Sequence, residues 1–225
     1  MDLPRQRRGV TPQMVGRYPD FDVLAESIVE TWDEATRKVI FERLRVDERK
    51  LQFFTPEEEP TVRAFADCLL AQHSEPRIPV VEMADARNTD GRLDGYQYDD
   101  LPDVRELWHQ VLAGLDFTAR SRYGVERFAD AEREAQYAIC DEFHRGTLKG
   151  GPWDGFNVRR AFTVLMHVLI GEFYSHPWAW NEIGFGGPAY PRGFVRLGAG
   201  QREHWERPPE FELDPVKDVP QRGLE

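Results

Sequence analysis

Residues 101–124, "LPDVRELWHQVLAGLDFTARSRYG", decide the class of fold. Val104, Leu107, Trp108, Val111, Leu112 and Leu115 recur at steps of three and four, which marks one face of an α-helix. Asp99 or Asp100 can cap its start. Arg120 and Arg122 suit the negative end of its dipole, and Gly124 is the natural residue to end it.

The same spacing continues on both sides. Leu24, Ile28, Trp32, Ala35 and Val39 form one helical stripe, with Asp20 or Asp22 to cap it. In "FFTPEEEPTVRAFADCLLAQ", Thr55 and Glu58 have the spacing of a capping box and Pro56 suits a first helical position. Pro60 moves the regular start closer to itself, and Val62, Phe65, Ala66, Leu69 and Leu70 then mark the buried face. A short helix is predicted over 80–87, followed by a polar Gly-rich loop. Another covers about 130–144 and ends at Gly146. "FNVRRAFTVLMHVLIG", residues 156–171, is apolar almost all round, which places it in the middle of a core. No alternating strand run of useful length is present, and no internal repeat. The reading is all-α: a single helical domain of five to seven helices over 20–201. It is preceded by a flexible arm, 1–19, and followed by an extended, charged, Pro-rich tail, 202–225.

Composition narrows the function. The chain has 225 residues, of which 40% are hydrophobic, enough for a sizeable core. Its 40 acidic against 29 basic residues give a net charge of −11, which argues against nucleic acid as the main partner. No run of apolar residues is long enough for a membrane span. Arg7 and Arg8 make an Arg pair, but Gly9, Thr11, Pro12 and Gln13 follow where an export signal needs an apolar stretch. The expectation is a cytoplasmic protein. Cys68 and Cys140 both fall in apolar helical patterns and read as buried thiols; spacing leaves open whether they pair.

Catalytic motifs are sparse. There is no G-x-G-x-x-G opening a helix, no G-x-S-x-G and no H-E-x-x-H. Asp141 precedes His144 by three residues, once. His144, His167, Glu172 and His176 are the set that a helical metal enzyme would use. For His167 the expectation is a core histidine with a hydrogen-bond partner. His176 either contacts a partner or caps a helix end. Arg159 and Arg160 interrupt the apolar helix and call for an acidic partner within the chain.

That leaves "EFYSHPWAWNEIGFGGPAYPRGF", residues 172–194, with seven aromatic residues, three prolines and four glycines. Either these rings fold back over the core or they form a contact surface, since Trp, Tyr and Arg dominate binding energy at protein interfaces. The candidate contact residues are Tyr174, His176, Trp178, Trp180, Asn181, Phe185, Pro188, Tyr190 and Arg192.

"FYSHPWAWNEIGFGGPAYPRGF" resembles the C-terminal signature of the gluconate 2-dehydrogenase subunit 3 family. "FFTPEEEPTVRAFADCLLAQ" and "IPVVEMADARNTDGRLDGYQYDDLPDVRELW" are similar to earlier parts of it, so the resemblance runs from about residue 50 to 200. It implies a non-catalytic, α-helical accessory subunit that binds a larger flavoprotein and stabilises or matures it. The partner would be of the glucose–methanol–choline oxidoreductase type, acting on a sugar or alcohol. FAD is expected in that partner and no cofactor in this chain. Many members carry a twin-arginine signal, and this chain departs from them in lacking the apolar stretch after its Arg pair. The alternatives are a self-sufficient helical metal-dependent enzyme and a general helical adaptor.

Overall fold

A computed structural model describes residues 21–46, 50–73, 77–92 and 95–188. The arm at 1–19 and the tail at 202–225 lie outside the described residues. Among the described residues all regular structure is helical: α1 (Glu26–Val29), α2 (Glu34–Arg43), α3 (Glu59–Leu70), α4 (Val80–Thr89), α5 (Val104–Tyr123), α6 (Arg133–Arg145), α7 (Val158–Ser175) and α8 (Pro177–Ile183). Two 3-10 turns, Phe128–Asp130 and Gly151–Trp153, link the longer helices.

α5 forms as its spacing predicts. Leu107, Trp108, Val111, Leu112 and Leu115 are all buried, and Gly124 ends the helix in the left-handed region, at φ 67°. The cap is Asp103, not Asp99 or Asp100: its side chain accepts from the Arg105 N–H at 2.9 Å. Asp100 is used elsewhere. It accepts from Asn157 Nδ2 at 3.0 Å and Arg160 Nη1 at 2.5 Å, tying the segment before α5 to the start of α7. Arg160 thus finds its acidic partner within the chain, and its guanidinium also lies over the Tyr98 ring, 4.7 Å from the centroid.

α3 opens as expected. Thr55 N–H donates to Glu58 Oε2 at 2.9 Å and Glu58 N–H to Thr55 Oγ1 at 3.3 Å, a reciprocal capping box. It closes the turn before Pro60, and the regular helix follows from Glu59.

The expected single stripe from Leu24 to Val39 is instead two helices with a break at Thr31–Asp33. Thr31 Oγ1 donates back to the Ile28 carbonyl at 2.5 Å, and the Asp33 carboxylate accepts from Thr36 N–H at 2.8 Å. Both side chains compete with the helical ladder, so the helix stops and restarts. The restart turns Ala35 and Val39 outward, leaving Val39 48% exposed, and Ile40 is the one buried residue of α2.

Two hydrophobic clusters result. The larger joins α3, α4, α5, α6 and α7 around Phe65, Trp108, Phe143 and Trp153. The Trp153 ring lies against α5 at Gly114, where a Cβ would come within 2.6 Å of it. Trp153 Nε1 donates to Thr118 Oγ1 at 2.9 Å. The smaller cluster gathers Phe21, Val23, Leu24, Ile28, Trp32, Ile40 and Leu44 of the N-terminal segment with Trp180 of α8. Asp85 of α4 is buried and anchors the segment upstream of α3, its carboxylate accepting from the backbone N–H groups of Gln52, Phe53 and Phe54 at 2.9–3.1 Å.

Candidate partner-binding surface

The aromatic stretch begins where α7 turns into α8. His176 is the N-cap of α8: it is buried, and its Nδ1 accepts from the Trp178 N–H at 3.2 Å. Pro177 follows at the first helical position, where its missing N–H costs nothing. The Ser175 carbonyl, left over at the end of α7, accepts from Arg43 Nη1 at 2.8 Å. Trp180 Nε1 donates to the Tyr174 carbonyl at 2.6 Å. Of the two capping and contact roles open to His176, the fold uses the cap.

α8 is a clasp between the two clusters. Ala179 packs into the larger one, Trp180 into the smaller one, and Trp178 touches both. Asn181 fixes the N-terminal segment: its Oδ1 accepts from Val23 N–H at 2.7 Å, and its Nδ2 lies 3.4 Å from Asp22 Oδ1. Gly184 ends the helix at φ 70°, and the Phe185 ring meets Trp180 edge to face at 5.6 Å. Gly187, at φ 80°, then passes so close to Trp32 that a Cβ would lie 2.5 Å from the ring. No other residue type fits both constraints there.

These placements divide the expected contact residues. His176, Trp180 and Asn181 are buried within the chain, at 1%, 4% and 5% exposure. Their rings and polar groups are used by the chain itself, so they are not outward anchors. Trp178 and Pro188 are half-buried. Tyr174 and Phe185 face outward at 43% and 42%, and Ile170, one turn before Tyr174, and Ile183 are exposed as well. Tyr190 and Arg192 lie outside the described residues.

The remaining titratable groups do not gather. His144 is exposed and its ring lies tilted against Phe162, centroids 4.9 Å apart, while Asp141 pairs with Arg145. His167 is exposed rather than a core histidine. It lines a cavity of about 300 Å³ between α4, the segment at 95–102, the start of α5, and α7. Glu172 is half-buried on a different side of α7, 3.6 Å from Arg87. Burial pushes its carboxyl above the usual range, and Arg87, Arg92 and Arg43 pull it back. Among the described residues no three His, Cys, Asp or Glu side chains converge on a metal position. Nor is any described helix long and apolar enough to cross a membrane.

Sequence reasoning missed the anchoring by Asp85, Arg43 and Asn181. Each bonds to backbone far away in the chain, and only Asn181 lay in a stretch that its composition had singled out.

A family model described as "Gluconate 2-dehydrogenase subunit 3" matches residues 56–187. No curated protein and no solved structure matches the chain.

Proposed function

This chain belongs to the gluconate 2-dehydrogenase subunit 3 family, and we propose that it is the non-catalytic small subunit of an FAD-dependent sugar or alcohol oxidoreductase. In this reading it binds a large subunit of the glucose–methanol–choline type and stabilises or matures it. FAD sits in that subunit, this chain holds no cofactor, and the pair works in the cytoplasm.

The observation that carries the reading is the family match, which spans α3 to α8 and stops at Gly187 against Trp32. The geometry supports it in one respect. The α7–α8 corner is rigidly built from within, yet it leaves Tyr174, Phe185, Ile170 and Ile183 outward. Large rings on a fixed frame suit a protein contact, because little side-chain entropy is lost on binding. The family's name speaks of a subunit, and this surface is where we place the contact.

The test is to express the large flavoprotein subunit with and without this chain. Co-expression should raise its soluble yield and its flavin content. Equal yield and equal flavin content in both preparations would overturn the stabilising role.

A further inference from the structure

The two cysteines lie in different helices, 72 positions apart, and meet in the core. α3 and α6 pack against each other in antiparallel fashion, as their contacts show. Phe65 of α3 meets Phe143 of α6, ring centroids 6.0 Å apart. Just beyond the end of α3, His73 Nε2 lies 2.6 Å from the Tyr137 hydroxyl. Moving up one helix and down the other, the level between these contacts holds Cys68 and Cys140. Both belong to the larger core cluster. Both are buried, at 6% and 5% exposure, and both are free.

We propose that Cys68 and Cys140 form a disulfide site, a covalent staple between α3 and α6 that closes on exposure to a small-molecule or protein disulfide. The Cys68 thiolate attacks one sulfur of the oxidant, breaking its S–S bond and expelling one thiolate. Cys140 then gives up its proton and attacks Cys68 Sγ in the mixed disulfide. The Cys68–Cys140 bond forms and the second thiolate leaves. The two departing thiolates take up the two protons, so the oxidant is reduced by two electrons to two thiols.

The neighbouring Cys140 lowers the Cys68 thiol from its usual range against the effect of burial, and Arg133 lowers it further while Asp67 raises it. The neighbouring Cys68 and burial push Cys140 up. These opposite directions favour Cys68 as the first nucleophile, since the thiolate is the reactive form. The staple closes a loop of about seventy residues containing α4 and α5, a size for which cross-linking restricts the unfolded chain strongly.

The full-length reduced chain, incubated without denaturant with oxidised glutathione and then alkylated in denaturant, gives the test. Intact mass should fall by two hydrogens, no thiol should remain to alkylate, and digestion should yield one peptide pair joined through Cys68 and Cys140. The melting temperature should rise by roughly 5–10 °C and return on reduction. In Cys140→Ala, Cys68 should instead keep a single glutathione, with no such rise. Two alkylatable thiols after prolonged equilibration, or a separate glutathione on each cysteine of the unsubstituted chain, would overturn the proposal.

Discussion

Replacing Trp180 by Ala separates the two things the aromatic stretch could do. Trp180 is 4% exposed, belongs to the smaller cluster, and donates its indole N–H to the Tyr174 carbonyl. Truncating a buried Trp to Ala costs about 3–5 kcal/mol, part of it for the cavity left behind. Here the cavity would open between α8 and the N-terminal helices, beside Trp32 and Ile28. For a chain of this length the loss corresponds to a melting temperature lower by about 6–20 °C. The paired control is Tyr174→Ala with Phe185→Ala. Both rings are more than two-fifths exposed, so their removal should move stability by about 1 kcal/mol or less. The same double change should weaken binding to the large subunit roughly a hundredfold or more, if each ring carries about 1.4 kcal/mol or more. Thermal melts by circular dichroism and a binding titration give the two readouts. A Trp180→Ala chain that melts with the unsubstituted protein would refute the clasp. A folded double variant that binds at full strength would refute the contact surface.

Asp85→Ala should cost about 3 kcal/mol or more, because the N–H groups of Gln52, Phe53 and Phe54 would lose their shared acceptor, with Phe54 buried. Denaturant unfolding reports it, and a loss below 1 kcal/mol would contradict the anchoring role. Gly114→Ala should destabilise by about 1–2 kcal/mol even though Ala is the better helix former, since the new methyl meets the buried Trp153 ring; a urea midpoint above that of the parent chain would contradict this. Glu172 carries a pH signature. Its folded carboxyl binds the proton more tightly than the unfolded one, so its contribution to stability falls as pH rises from the ordinary value of 4.5 toward neutrality. Glu172→Gln should remove that slope from a series of unfolding curves, and identical slopes in both proteins would count against it.

What could be read from the sequence follows from how local each signal is. α5 announced itself because five residues of its apolar stripe do face the core, and α3 because its capping box lies within four consecutive residues. The stripe from Leu24 to Val39 misled because Thr31 and Asp33 are tolerated in a helical pattern, and only their hydrogen bonds to Ile28 and Thr36 show that they break it. Asp100 looked like a cap for α5 but was claimed by Arg160, sixty residues on. In the aromatic stretch, composition marked an unusual segment without dividing inward from outward residues. That division depends on Val23, Trp32 and Arg43, which reach α8 and its neighbours from the opposite end of the chain. His167 fell on the outward side of an apolar helix, a rotation that periodicity cannot fix when nearly every position is apolar.

The most direct measurement is co-elution. The full chain and a glucose–methanol–choline type flavoprotein, co-expressed and passed over a size-exclusion column, should emerge as one complex. Flavin absorbance should follow the large subunit when the two are later separated, leaving this chain colourless. Elution of the two as independent species, or flavin retained by this chain alone, would contradict the assignment as an accessory subunit.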